Sequence, residues 1–214
     1  MLFSFEQFAT LNTWLSGFWR LIWLNILWTA MTLAGGVIFG LGPASYALAT
    51  SLDRWFRCGQ TPPTAAAFWR YARTGTRRSM AMGWVLLAVG AVIGVNLLSL
   101  TDWYLRMANF AALVVLLVVG AYVFFVLSAM DLPGLRRPLI TALLLSIGSL
   151  HWTILGATAV GISYGVMYHF AIALLPLLGV VLPALVVTLI LRPVFTGLAA
   201  PVPVPSRPPE PATP

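Results

Sequence analysis

The sequence predicts an all-α integral membrane bundle of about five transmembrane helices, with a cytoplasmic amphipathic helical segment after the first. Three observations carry this. Sixty per cent of the 214 residues are hydrophobic and only 8 % are charged, whereas a soluble domain has about a quarter charged. A chain this short cannot hide so much apolar surface in its own core. The apolar residues fall into uninterrupted runs long enough for a hydrocarbon layer of about 30 Å at about 1.5 Å per residue. The cations, all arginine, cluster between those runs.

The expected spans lie near 18–41, 79–100, 107–130, 144–164 and 170–191, within one domain over 1–195. The runs are too uniformly apolar for barrel strands, so each should be a helix that satisfies its own backbone. From Pro138 to Leu191 no residue carries a formal charge, which is room for two spans. In an alternative reading, Leu135–Leu145 lies in the membrane interface and the fourth span moves later. The tail over 196–214 is rich in proline and should be extended and disordered. No cleavable signal peptide is expected, since the first stretch has an acid, Glu6, and no basic region.

Between the first two expected spans stand Arg54, Arg57, Arg70, Arg73, Arg77 and Arg78 against one acid, Asp53. The TDWYLR connection has one acid and one base, and DLPGLRRP has Arg136 and Arg137 against Asp131. Basic connections alternate with neutral ones, so the positive-inside rule places the basic ones in the cytoplasm. The amino terminus is then outside and the carboxyl terminus inside. Arg20 would snorkel at the outer boundary.

The stretch GGVIFGLGPASYALATSLDRWFRC, residues 35–58, marks the first break. Gly40 and Gly42 should let the chain leave the first helix with positive φ, and Pro43 suits the first turn of a new one. That new helix opens a cytoplasmic collar over 43–78 and should lie along the membrane surface. A turn at Pro62-Pro63 and a second short helix bearing Phe68, Trp69 and Tyr71 should complete it.

Few residues suggest chemistry. The acids are Glu6, Asp53, Asp102, Asp131 and Glu210, none inside a span core. A proton-coupled carrier usually keeps a carboxylate in the membrane. The histidines, His151 and His169, are too far apart in sequence for a helical metal pair, and Cys58 stands alone. Accordingly no enzyme activity, catalytic residue, metal or cofactor is expected. Asn25 and Asn96 read first as interhelical glue. With Thr158, Ser163 and His169 they also form the candidate polar pathway of a small transporter or channel. Three Gly-x-x-x-Gly pairs, Gly36–Gly40, Gly90–Gly94 and Gly161–Gly165, should form helix-packing grooves. The arginine-rich collar suits anionic lipid, or alternatively an acidic cytoplasmic protein. Nucleic acid is not an expected partner.

Several of these residues carry a family resemblance. Asn25-Ile26-Leu27-Trp28, the GGVIFGLGPASYAL block, Arg54, Pro62-Pro63, Phe68-Trp69 and Arg77 resemble the YesL family of bacterial membrane proteins. The later TALLLSIGSLHWTILG resembles that family's Ala-Leu-Leu-Leu stretch, so the likeness extends over most of 15–195. The family often has Pro and Thr before the Gly-Pro turn; this chain has Ala34 to Phe39 there. The resemblance implies a bacterial inner-membrane protein of unestablished activity, an accessory to carbohydrate uptake with a sugar-transporter complex as partner. It implies no catalytic residue.

Overall fold

The structure, a computed structural model, describes residues 5–59, 64–130, 132 and 134–198. The Pro62-Pro63 turn, Asp131 and the tail beyond residue 198 lie outside the described residues. All regular structure among the described residues is helical: α1 (Phe5–Ala34), α2 (Leu41–Cys58), α3 (Ala65–Thr74), α4 (Thr76–Ser99), α5 (Trp103–Ala129), α6 (Arg136–Gly148), α7 (Leu150–Phe170), α8 (Leu174–Leu178) and α9 (Val181–Leu198).

Four segments are long and apolar enough to cross a membrane: Thr76–Ser99, Trp103–Ala129, Leu150–Phe170 and Leu174–Arg192. Of the most apolar stretch in α4 and in α7, only 17 % is buried within the protein. The rest presents side chains such as Val92, Leu98, Leu155 and Ile162 outward, which hydrocarbon accommodates and water does not. Here the count departs from the expected five. The run expected at 18–41 is not among the four, because Arg20, Asn25 and several tryptophans and threonines dilute it.

The fourth span takes the later of the two expected positions. A bend at Ser149 separates α6 from α7. The Ser149 N–H and hydroxyl both donate to the Leu145 carbonyl, at 3.0 and 2.6 Å. From α5, the buried Tyr122 hydroxyl shares hydrogen bonds of 2.8 Å with Thr153 and 3.3 Å with Ser149. This hydroxyl cluster fastens α5 to the bend. We expect Tyr122→Phe to lose about 1 kcal/mol, because Ser149 and Thr153 keep their backbone acceptors. Thermal unfolding in detergent measures it.

The first break also differs in detail. α1 ends at Ala34, and Gly36 (φ 62°) and Val37 (φ 64°) take the left-handed conformation assigned above to Gly40 and Gly42. Gly36 N–H donates to Leu33 O at 2.9 Å and Val37 N–H to Thr32 O at 2.8 Å, the paired bonds of a Schellman cap. The Gly35-Gly36 pair therefore terminates the helix before Gly40 is reached. Pro43 does lie in the first turn of α2, where its missing N–H costs nothing. Val37 is the only described non-glycine residue at positive φ, which strains a β-branched side chain. Val37→Gly should raise stability by about 1 kcal/mol, read by the same unfolding measurement.

α2 itself is not a surface helix. It packs against α1, α3, α4, α5 and α9. Ala44, Ala47, Leu48, Ala49, Ser51 and Leu52 are buried, and only its last turns emerge with Arg54 and Arg57. Its apolar side faces protein rather than lipid, correcting the expected collar geometry. The physical reason is side-chain size. A run of Gly, Ala and Ser lets neighbouring backbones approach closely, and van der Waals contact drives helix association in lipid. A Cβ on Gly42 would stand 2.1 Å from Ser79 O of α4.

The Gly-x-x-x-Gly pairs do not provide that packing. Gly36 and Gly40 lie in the turn rather than in a helix. A Cβ on Gly94, Gly161 or Gly165 would meet nothing within 4 Å, and Gly90 has only ordinary contact with Leu116. Among the described glycines inside helices, the close approaches to a neighbouring helix occur at Gly42, Gly83 and Gly156. Helix α9 also runs to Leu198, three residues past the expected domain end at 195.

Candidate functional site

Besides the Tyr122 hydroxyl cluster, polar groups gather at a break inside the last apolar segment and along the arginine-bearing parts of α2, α3 and α4.

The break lies between α8 and α9, where Pro176 and Gly179 interrupt an otherwise continuous apolar stretch. A broken helix in an apolar setting frees backbone groups that lipid cannot satisfy. Asn25 of α1 supplies the partner. Its Nδ2 donates to Pro176 O at 2.7 Å, and its Oδ1 accepts from Val180 N at 3.3 Å and Val181 N at 3.2 Å. The residue is 1 % exposed. One side chain therefore caps the start of α9 and the end of α8 at once, across more than 150 residues of sequence. Tyr164 of α7 donates its hydroxyl to Gly179 O and closes the remaining side.

Trp28, one turn further along α1, donates its indole N–H to Ser45 Oγ of α2 at 3.1 Å. Nearer the start of α1, the Arg20 guanidinium sits 5.9 Å from the Trp55 ring. The two contacts run in opposite sequence directions, so α1 and α2 form an antiparallel pair. Arg20 thereby joins Arg54 and Arg57 at one end of α2, instead of occupying a boundary of its own. Asp53, also buried, accepts from Arg57 at 2.7 Å. These two line a small crevice with Thr188 and Arg192, at the end of the last apolar segment.

Arg54 donates to the Tyr71 hydroxyl at 3.3 Å and lies 4.8 Å from that ring's centre, tying α2 to α3. Phe68 is buried beneath α3. Gly40 is confined: a Cβ there would lie 2.5 Å from Thr32 O. Trp84 of α4 holds the 35–40 turn by donating to Ile38 O at 3.0 Å and by an edge contact with Phe39. Arg77 and Arg78 are exposed in the first turn of α4.

The candidate pathway residues are not brought together. Asn96 of α4 pairs with Asn109 of α5 at 3.2 Å. Thr158 and Ser163 return their hydroxyls to the backbone of their own helix, at Ile154 O and Ala159 O. His169 is exposed between Tyr168 and Phe170. Among the described residues no three His, Cys, Asp or Glu side chains gather as a metal site would require. The Asn109 partner and the Tyr122 cluster were not singled out from the sequence. Amides and hydroxyls inside apolar runs were the only signal for them.

Helix composition and outward apolar surface define a multi-span helical membrane protein. Its residues 21–97, from the second half of α1 almost to the end of α4, match the family model described as "Protein of unknown function, DUF624". The chain is 34 % identical over 77 residues to "Uncharacterized protein YesL" of Bacillus subtilis (strain 168), covering 36 % of this chain and 37 % of that protein. It is 28 % identical over 139 residues to "Uncharacterized protein YteU" of the same organism, covering 63 % of each. These matches span less than two thirds of the relatives' own length. The similarity to the family model is thus concentrated in a shorter stretch than the expected 15–195. No solved structure matches.

Proposed function

We propose that the protein is a non-catalytic accessory component of the cell membrane, acting beside a carbohydrate uptake system. The observation that carries the accessory reading is the fate of the polar groups inside the bundle. The backbone ends freed at the α8–α9 break are already bonded by Asn25 and Tyr164. In transporters such ends are commonly left for substrate or ion. The other candidate pathway groups are scattered: Asn96, Thr158 and Ser163 are bonded within their own helix or by one neighbour, and His169 is exposed. The sugar connection rests on the family likeness alone.

Affinity purification from native membrane should recover a transporter with this chain, and its loss should impair growth on one oligosaccharide. Recovery of the chain alone, with growth unchanged across many sugars, would overturn the reading. Sugar flux into liposomes holding only this protein would instead establish a stand-alone transporter or channel.

In this reading the basic end of α2, α3 and α4 faces the cytoplasm, with the carboxyl terminus, because arginine-rich connections are retained there. A fifth crossing by the 30-residue α1 would put the amino terminus outside, whereas Arg20 held beside Trp55 at the basic end favours an amino terminus on the cytoplasmic side. Single cysteines at Asn12, Thr74 and Thr101 in a Cys58→Ser background test this, since all three positions are exposed. Labelling of 101, but not 74, from outside the cell is the expected pattern, and labelling of 12 decides between a crossing α1 and an amino terminus inside.

A further inference from the structure

The start of α4 is concave and basic. Arg73, Arg77 and Arg78 line a cavity of about 700 Å³ with Tyr46, Ser79 and Leu127. None of its described lining residues is acidic. Arg73 lies 5.1 Å from the Trp69 ring centre, a cation–π contact that restrains the guanidinium. The Tyr46 ring fills the space beside Gly75, where an added Cβ would come within 2.8 Å of it.

A second cleft of about 240 Å³ adjoins this cavity and shares Arg73 and Thr76 with it. Its other walls are largely apolar and include Met31, Phe39, Pro43 and Met80. A guanidinium-lined chamber beside an apolar slot fits an amphiphile with an anionic head better than a free anion, which would leave the slot empty. Arginine forks match phosphate oxygens in pairs.

We propose that this is a binding site for an anionic membrane phospholipid. The headgroup phosphate lies among Arg73, Arg77 and Arg78, and the upper part of one acyl chain lies in the Met31–Met80 cleft. The site does not depend on the accessory role above.

The test uses the full chain in detergent, with phosphatidylglycerol, phosphatidylcholine and inorganic phosphate added separately. Native mass spectrometry measures lipid retention, and thermal shift measures stabilisation. Phosphatidylglycerol should bind at least tenfold more tightly than phosphatidylcholine. Arg73→Ala with Arg77→Ala should remove that preference. Arg136→Ala with Arg137→Ala deletes the same charge at other exposed positions and should leave it intact. Equal loss in both double variants would show diffuse attraction to the whole basic end and overturn the site. Inorganic phosphate stabilising the protein as much as phosphatidylglycerol does would overturn the lipid assignment in favour of a free anion. Should the first double variant fail to fold, Arg77→Ala alone, at an exposed side chain, should weaken the preference about fivefold; an unchanged preference would overturn the proposal.

Discussion

Asn25→Leu should destabilise the protein by about 3 kcal/mol, the largest loss expected from any single side chain here. Leucine keeps the branched skeleton, and its bulkier methyl groups at this buried site add to the loss rather than offset it. What is lost is one donor to Pro176 O and one acceptor serving Val180 N and Val181 N. Each buried backbone group left without a partner costs about 1–3 kcal/mol. Interhelical hydrogen bonds in membranes average only about 0.6 kcal/mol, because the separated helices also find partners. That offset is weak at this site, since the unsatisfied groups belong to a break in the backbone that persists whatever α1 does. Thermal unfolding in detergent, followed by tryptophan fluorescence, measures the change. A loss below about 0.5 kcal/mol would show that Asn25 does not cap the break.

Gly42→Ala should cost about 3 kcal/mol by a different mechanism. The new Cβ would stand 2.1 Å from Ser79 O, 2.7 Å from Ser79 C and 2.9 Å from Met80 Cα. These are backbone atoms of α4, so no side-chain rotation relieves the overlap and the two helices must separate. Overpacking of this kind costs about 1–3 kcal/mol, and contact with backbone places it at the upper end. Gly161→Ala is the control. Nothing lies within 4 Å of its added Cβ, and alanine is favoured over glycine in a helix by about 1 kcal/mol. The two substitutions should therefore shift unfolding in opposite directions, although both glycines lie in helices.

The contrast between these glycines shows how far the sequence could be read. Small residues promote close packing in lipid, so the Gly-x-x-x-Gly pairs were the natural candidates. Spacing alone does not state which face of a helix meets a neighbour. Gly161 and Gly165 look outward, while Gly42, which belongs to no such pair, sits at the tightest helix contact. The run from Gly42 to Ser51 did hold a usable signal in its density of Gly, Ala and Ser. The arginines and aromatics that follow it, Arg54 to Arg57, suggested a membrane-surface helix instead, because amphipathicity does not distinguish lipid from protein as the apolar partner. The pathway residues fared similarly. Thr158 and Ser163 satisfy themselves on their own helix, a local bond that sequence position neither requires nor forbids.

Composition by itself determined the class of this protein. With 60 % hydrophobic and 8 % charged residues in 214, no folded core of this size could keep the apolar surface from water. Run length then located α4, α5 and the last apolar segment, because one helix crossing needs a set number of apolar residues, but it set the fourth span at 144–164, ahead of α7 (Leu150–Phe170). The tertiary structure alone decided that α2 is central, that Arg20 stands beside Trp55, and that Asn25 closes a break more than 150 residues away. These are contacts between segments distant in sequence. They depend on which helix faces meet, and hydropathy, a sum over local residues, carries no term for that.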